Sequence, residues 1–131
     1  MIMVYSGLNE VYDKVALHLL AQGKKAMDDE GACIYRAPDG CKCAIGALIP
    51  DEVYTDSMEG VGIEAVMKEF PVVNKIFAML RPADLEQLQF IHDSSKVDSW
   101  PRKLKLFAEL RDIPITKEAQ NAMDHFQPKG E

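Results

Sequence analysis

The side chains best suited to chemistry are Cys33, Cys41 and Cys43, with His18 and His92 as possible companions. Zinc takes four soft ligands in a tetrahedron, so the three cysteines plus His18 or His92 would supply one set. The spacing argues against it. Zinc knuckles are commonly built on Cys-x-x-Cys, whereas Cys41-x-Cys43 places two sulfurs on one side of an extended chain, about 7 Å apart. Small, buried, apolar cysteines are the better reading, and no metal is expected. Cys43 also precedes a short apolar run, Ala44 to Ile49, that reads as a helix. A thiol at a helix N-terminus ionises more easily, so Cys43 with His92 as base and Asp93 beside it is a candidate nucleophilic pair. His92 follows Leu88 by one helical turn on an apolar stripe, which favours a structural role. The balance leans away from an enzyme, and no cofactor is implied. Gly40, Gly46 and Gly60-Val61-Gly62 would let a backbone approach a phosphate or nucleotide, but they match neither a Walker loop nor a dinucleotide fingerprint.

The elements that would position these groups are mostly helices. Leu8, Val11, Tyr12, Val15, Leu19 and Leu20 recur at threes and fours, predicting a helix to about Gln22 with Ser6 as N-cap and Gly23 as its stop. Cys33 to Arg36 suits a short strand, and Ala37-Pro38-Asp39-Gly40 has the composition of a type I turn. A small hairpin returning through Cys41 to Cys43 follows from this. Further helices are expected from Ile63 to Phe70, Val72 to Leu80, Pro82 to about His92, Trp100 to about Asp112, and Thr116 to about Phe126. Residues 1–5 read as a short strand or arm, and residues 127–131 as a fraying end. The fold class expected is therefore α+β and predominantly helical. Five or six helices pack around a short β-hairpin in a single domain, residues 1–131, with Leu19, Ile45, Leu48, Leu88, Trp100, Leu104 and Phe107 in the core.

Composition narrows the function classes. The 131 residues are 47% hydrophobic and 27% charged, which is ordinary for a globular chain. No run approaches the apolar length of a membrane span, and Met-Ile-Met-Val-Tyr lacks the positive region of a signal peptide. An odd count of three cysteines argues against a disulfide framework. A cytoplasmic setting follows as an expectation. With 15 basic and 21 acidic residues the net charge is −6, which disfavours direct nucleic-acid binding. Asp28, Asp29, Glu30, Asp51, Glu52, Asp56 and Glu59 concentrate carboxylates in the middle of the chain. Gathered on one face, they would suit a basic partner.

The strings Tyr35-Arg36-Ala37-Pro38-Asp39-Gly40, Lys42-Cys43-Ala44-Ile45-Gly46 and Leu48-Ile49-Pro50-Asp51-Glu52 resemble a motif of small proteins encoded by tailed bacteriophages and prophages. Leu88-Gln89-Phe90-Ile91-His92-Asp93, followed by Trp100 and Leu104, is similar to the second half of the same proteins. Ala37 stands where glycine is familiar and Cys41 where an apolar residue is. The resemblance implies a phage or prophage origin and a bacterial host cytoplasm, and it carries no catalytic residues across. Combined with the acidity, it leads to a small non-enzymatic accessory protein that binds a host macromolecule, most plausibly a protein, and so inhibits a host process or defence. The expected contact residues are Arg36, Asp39, Asp51, Glu52, Asp56 and Glu59. The alternatives are a thiol or zinc site at Cys33, Cys41 and Cys43, or a small-ligand or nucleotide module.

Overall fold

The computed structural model describes residues 3–130. Helix α1 (Leu8–Gln22) is the axis of the molecule. It packs against α2 (Ala44–Leu48), α5 (Pro82–Ser94), α6 (Trp100–Leu110) and α7 (Lys117–Asp124). Two short helices, α3 (Ile63–Glu69) and α4 (Pro71–Ile76), lie side by side, and α3 touches α5. The stripe seen in the sequence is the buried face of α1: Val11, Tyr12, Val15, Ala16, Leu19 and Leu20. Removing a large aliphatic side chain of this kind from water contributes about 1.5–3 kcal/mol before the cost of ordering the chain. All seven core residues named from the sequence are buried. Two tyrosines add directional bonds from within this core. Tyr12 donates to the Leu104 carbonyl (2.7 Å) and stacks on Phe107, while Tyr5 donates to the Leu48 carbonyl (2.6 Å) and stacks on Phe77.

Helix ends follow local chemistry. Gly23 closes α1 in the left-handed region (φ 69°), with its N–H on the Leu19 carbonyl. Pro71, Pro82 and Pro101 sit in first turns, where a missing N–H leaves nothing unpaired. The Thr116 hydroxyl caps α7 by accepting from the Ala119 N–H (3.0 Å). One expectation shifts: the α1 cap position is Gly7, and Ser6 instead holds Glu10 through its N–H (2.7 Å) and hydroxyl (3.0 Å). Among the described residues no helix is long and apolar enough to cross a membrane. The arm expected at residues 1–5 lies partly outside the described residues. Glu131 lies outside them too, while Lys129 folds back with its N–H on the Gly23 carbonyl (2.7 Å).

The expected α+β class with a β-hairpin is not what forms. The described residues hold seven α-helices and no strand. Extended pairing is reduced to two isolated antiparallel bridges, Met27–Cys33 and Arg36–Lys42. The turn itself is present: Gly40 (φ 92°) donates to the Ala37 carbonyl (3.0 Å), and Ala37 N–H meets the Cys41 carbonyl (2.8 Å). The next rung would join the Tyr35 N–H to the Cys43 carbonyl, but that carbonyl accepts the Ala47 N–H (3.0 Å) as α2 begins, and side chains take the Tyr35 N–H and the outward-facing groups of Arg36 and Lys42. The Glu59 carboxylate accepts from the N–H groups of Tyr35 (2.9 Å) and Arg36 (3.1 Å). On the other arm, the Gln22 amide both accepts from the Lys42 N–H (2.8 Å) and donates to the Lys42 carbonyl (2.9 Å), which His18 Nε2 also reaches (2.9 Å). Every backbone group so engaged is satisfied without a sheet.

Candidate functional site

The residues with chemical potential meet where α5 crosses the segment before α2. Helix α5 presents Leu85, Leu88, Ile91 and His92 inward, so Gln89 and Asp93, one turn apart, share an adjacent strip. His92 is fully buried. Its Nε2 accepts the Ala26 N–H (2.9 Å), so the ring hydrogen sits on Nδ1, which donates to Asp93 Oδ1 (2.7 Å). The same oxygen accepts from Gln89 Nε2 (2.8 Å), and Gln89 Oε1 accepts from the Ile45 N–H (3.0 Å). One relay thus runs Ala26, His92, Asp93, Gln89, Ile45. It joins the start of α2 to the middle of α5 through side-chain bonds.

This geometry decides what His92 can do. A general base needs a free lone pair facing a substrate, and the lone pair of His92 Nε2 is spent on a backbone amide. A metal-binding reading meets the same obstacle. Cys33, His92 and Asp93 each place one ligand atom within 4.8 Å of the others. Ligation through Nε2 would orphan the Ala26 N–H. Ligation through Nδ1 would move the ring hydrogen to Nε2, pointing it at that same N–H. These residues therefore do not fit a metal.

The three cysteines form no such ligand group among the described residues. Cys33 is half-buried beside the Asp93 carbonyl, and burial raises its thiol pKa. Cys41 is buried next to the Asp39 turn, and burial raises its thiol as well. Cys43 does take the N-cap position of α2, and its Sγ accepts the Gly46 N–H (3.2 Å). Complete burial nevertheless outweighs that hydrogen bond and pushes its thiol up to about 12. The candidate nucleophile is thus a protonated capping group. The close backbone approach at Gly46 is likewise internal. A Cβ there would overlap the carbonyl oxygen of Tyr35, which accepts the Cys43 N–H (3.1 Å).

The six expected contact residues divide by role. Arg36 turns inward: it donates to the Ile49 carbonyl (2.6 Å), pairs with Asp51 (2.7 Å), and lies 4.6 Å over the Tyr54 ring. Glu59 holds the Tyr35 and Arg36 amides and accepts the Tyr54 hydroxyl (2.6 Å). Together they pin the loop from Ile49 to Glu59. Asp51, Glu52 and Asp56 stand exposed on that loop, Asp51 with 80% of its side chain in solvent. Asp39 is exposed at its turn tip and paired with Lys24 (3.1 Å). This pairing and the Cys41 N–H hold its carboxyl below the usual range, the backbone bond contributing most.

Beside the relay lies a cleft of about 380 Å³. Its walls include Cys33, Tyr35, Val61, Gln89 and Phe90, and Glu59, Glu86 and Asp93 also line it. The Tyr35 hydroxyl donates to the Val61 carbonyl (2.5 Å), fixing one lip. Sequence reasoning overlooked Glu86 and Phe90. The signal was available, because Phe90 falls off the apolar stripe of α5 and an aromatic residue there has to face solvent. Comparison with known protein families, with curated proteins and with solved structures gave no match.

Proposed function

We propose that this chain is a small non-enzymatic accessory protein of the phage type that binds a host protein through exposed carboxylates. The observation that carries the reading is the division of labour around Arg36 and Glu59. Both are consumed in holding the 49–59 loop, and the loop displays Asp51, Glu52 and Asp56 outward. A loop ordered before contact loses less entropy on binding than a flexible one, and clustered carboxylates raise the encounter rate with a basic surface. The buried state of Cys43 and the double engagement of His92 support a binding role over catalysis. The bacterial host and its cytoplasm come from the motif resemblance.

The test is affinity capture from bacterial lysate with the native chain and with the double variant Glu52→Lys/Asp56→Lys. A specific partner retained in moderate salt by the native chain and released by the variant is the expected result. A partner indifferent to both substitutions, or no salt-resistant partner at all, would sink the proposal.

A further inference from the structure

We propose that the cleft between α5 and the 59–63 loop receives an arginine side chain of the partner protein, carried between apolar neighbours. The inference rests on the binding role proposed above and names the chemistry of the contact.

Charge gives the first argument. Glu59, Glu86 and Asp93 line the cleft, and no lysine, arginine or histidine does. Three carboxylates elsewhere are ion-paired: Asp84 with Arg81 and Arg111, Asp51 with Arg36 and Lys42, Asp39 with Lys24. Among the described residues, none of the three cleft carboxylates has a lysine or arginine within ion-pairing distance. Lys25 approaches from outside the lining and donates to the Asp93 carbonyl (3.3 Å). The cleft therefore carries net negative charge inside a partly apolar wall, with Glu59 and Asp93 oriented by hydrogen bonds and Glu86 exposed.

Shape and rigidity give the second. A volume near 380 Å³ accommodates a long side chain. Asp93 is aimed by His92 and Gln89 rather than free to swing. Phe90 is 59% exposed at the rim. It also borders a second groove on the far side of α5, shared with Leu106 and Leu110 and edged by Lys103 and Arg111. An apolar residue flanking the cation would find that groove. A guanidinium suits the cleft better than an ammonium because it is planar, weakly hydrated and stacks on rings. The fold uses that contact internally, with Arg111 3.8 Å over Phe107.

The experiment is a titration of ¹⁵N-labelled protein with acetyl-Leu-Arg-Leu-Leu-amide, the same peptide with citrulline for arginine, and spermidine. The arginine peptide should shift the amides of Gly60, Val61, Gly62 and Phe90 saturably. The citrulline peptide should bind about tenfold more weakly. Phe90→Ala and Glu86→Gln, both at exposed positions, should each weaken the arginine peptide while the thermal midpoint stays in place. Absence of these shifts, equal binding of citrulline, or indifference to both substitutions would overturn the inference. Spermidine giving the same shifts at the same concentration would also overturn it, by assigning the cleft to a free polyamine. Lysate capture separates the two proposals. A partner released by Glu52→Lys/Asp56→Lys but indifferent to Phe90→Ala and Glu86→Gln removes the cleft and leaves the binding role. Peptide binding without any captured partner removes the binding role and leaves the cleft chemistry.

Discussion

His92 spends both ring nitrogens inside the protein, and its removal exposes what they were satisfying. His92→Leu leaves the Ala26 N–H without its acceptor and removes one of the two donors on Asp93 Oδ1, where Gln89 stays. Orphaning one buried N–H costs about 1–3 kcal/mol, and a loss of that size is expected in urea unfolding. Smaller losses would show that water replaces the ring. Cys43 gives a second residue-scale prediction. With its thiol at about 12 and fully buried, it should react with a disulfide reagent at neutral pH only after unfolding. Half-buried Cys33 should label first, and slowly. Rapid labelling of Cys43 in the native state would contradict the capping role. The N-cap position of Cys43 was legible in the sequence, because a short apolar run after it had to start a helix. Its burial was legible too, from the preference of small thiols for the interior; the groups that enclose it, the Tyr35 backbone and Gln89, were not, since Gln89 comes from a distant part of the chain.

Helices were the legible elements because their signals are local: the stripe of α1, Gly23 at its end, prolines in first turns, and Thr116 before α7. Thr116→Ala should cost about 1 kcal/mol, read as a lower urea midpoint. The hydroxyl also donates to Asp13 (2.6 Å), so Thr116→Ser should recover most of the loss. The hairpin misled because its composition was right while its partners were elsewhere. Nothing in Cys33 to Cys43 reveals that Glu59 and Gln22 will claim its amides. Likewise, acidity could be counted from the sequence, but the inward turn of Arg36 and Glu59 could not. Gly46→Ala tests the packing between this segment and α2. The added carbon overlaps the Tyr35 carbonyl, and overpacking of that kind costs about 3 kcal/mol.

At the scale of the molecule, the buried acids of weak strength set an alkaline limit. Burial lifts Tyr5 and Tyr12 from 10.0 to about 12 and Cys43 from 9.0 to about 12. Each pKa is raised in the folded state, so the stabilisation is complete below the unfolded values and is lost as pH rises toward the folded ones. The urea midpoint should be flat near neutrality and fall steadily above about pH 9; Tyr12→Phe should flatten part of that slope. The relay from Ala26 to Ile45 has one more consequence, for solvent exchange. The amides of Ala26, Tyr35, Arg36, Lys42 and Ile45 each donate to a side chain remote in sequence. Helical amides report the opening of their own turn. These five report whether distant segments are still docked, which makes them an intrinsic gauge of tertiary closure in a deuterium-exchange experiment.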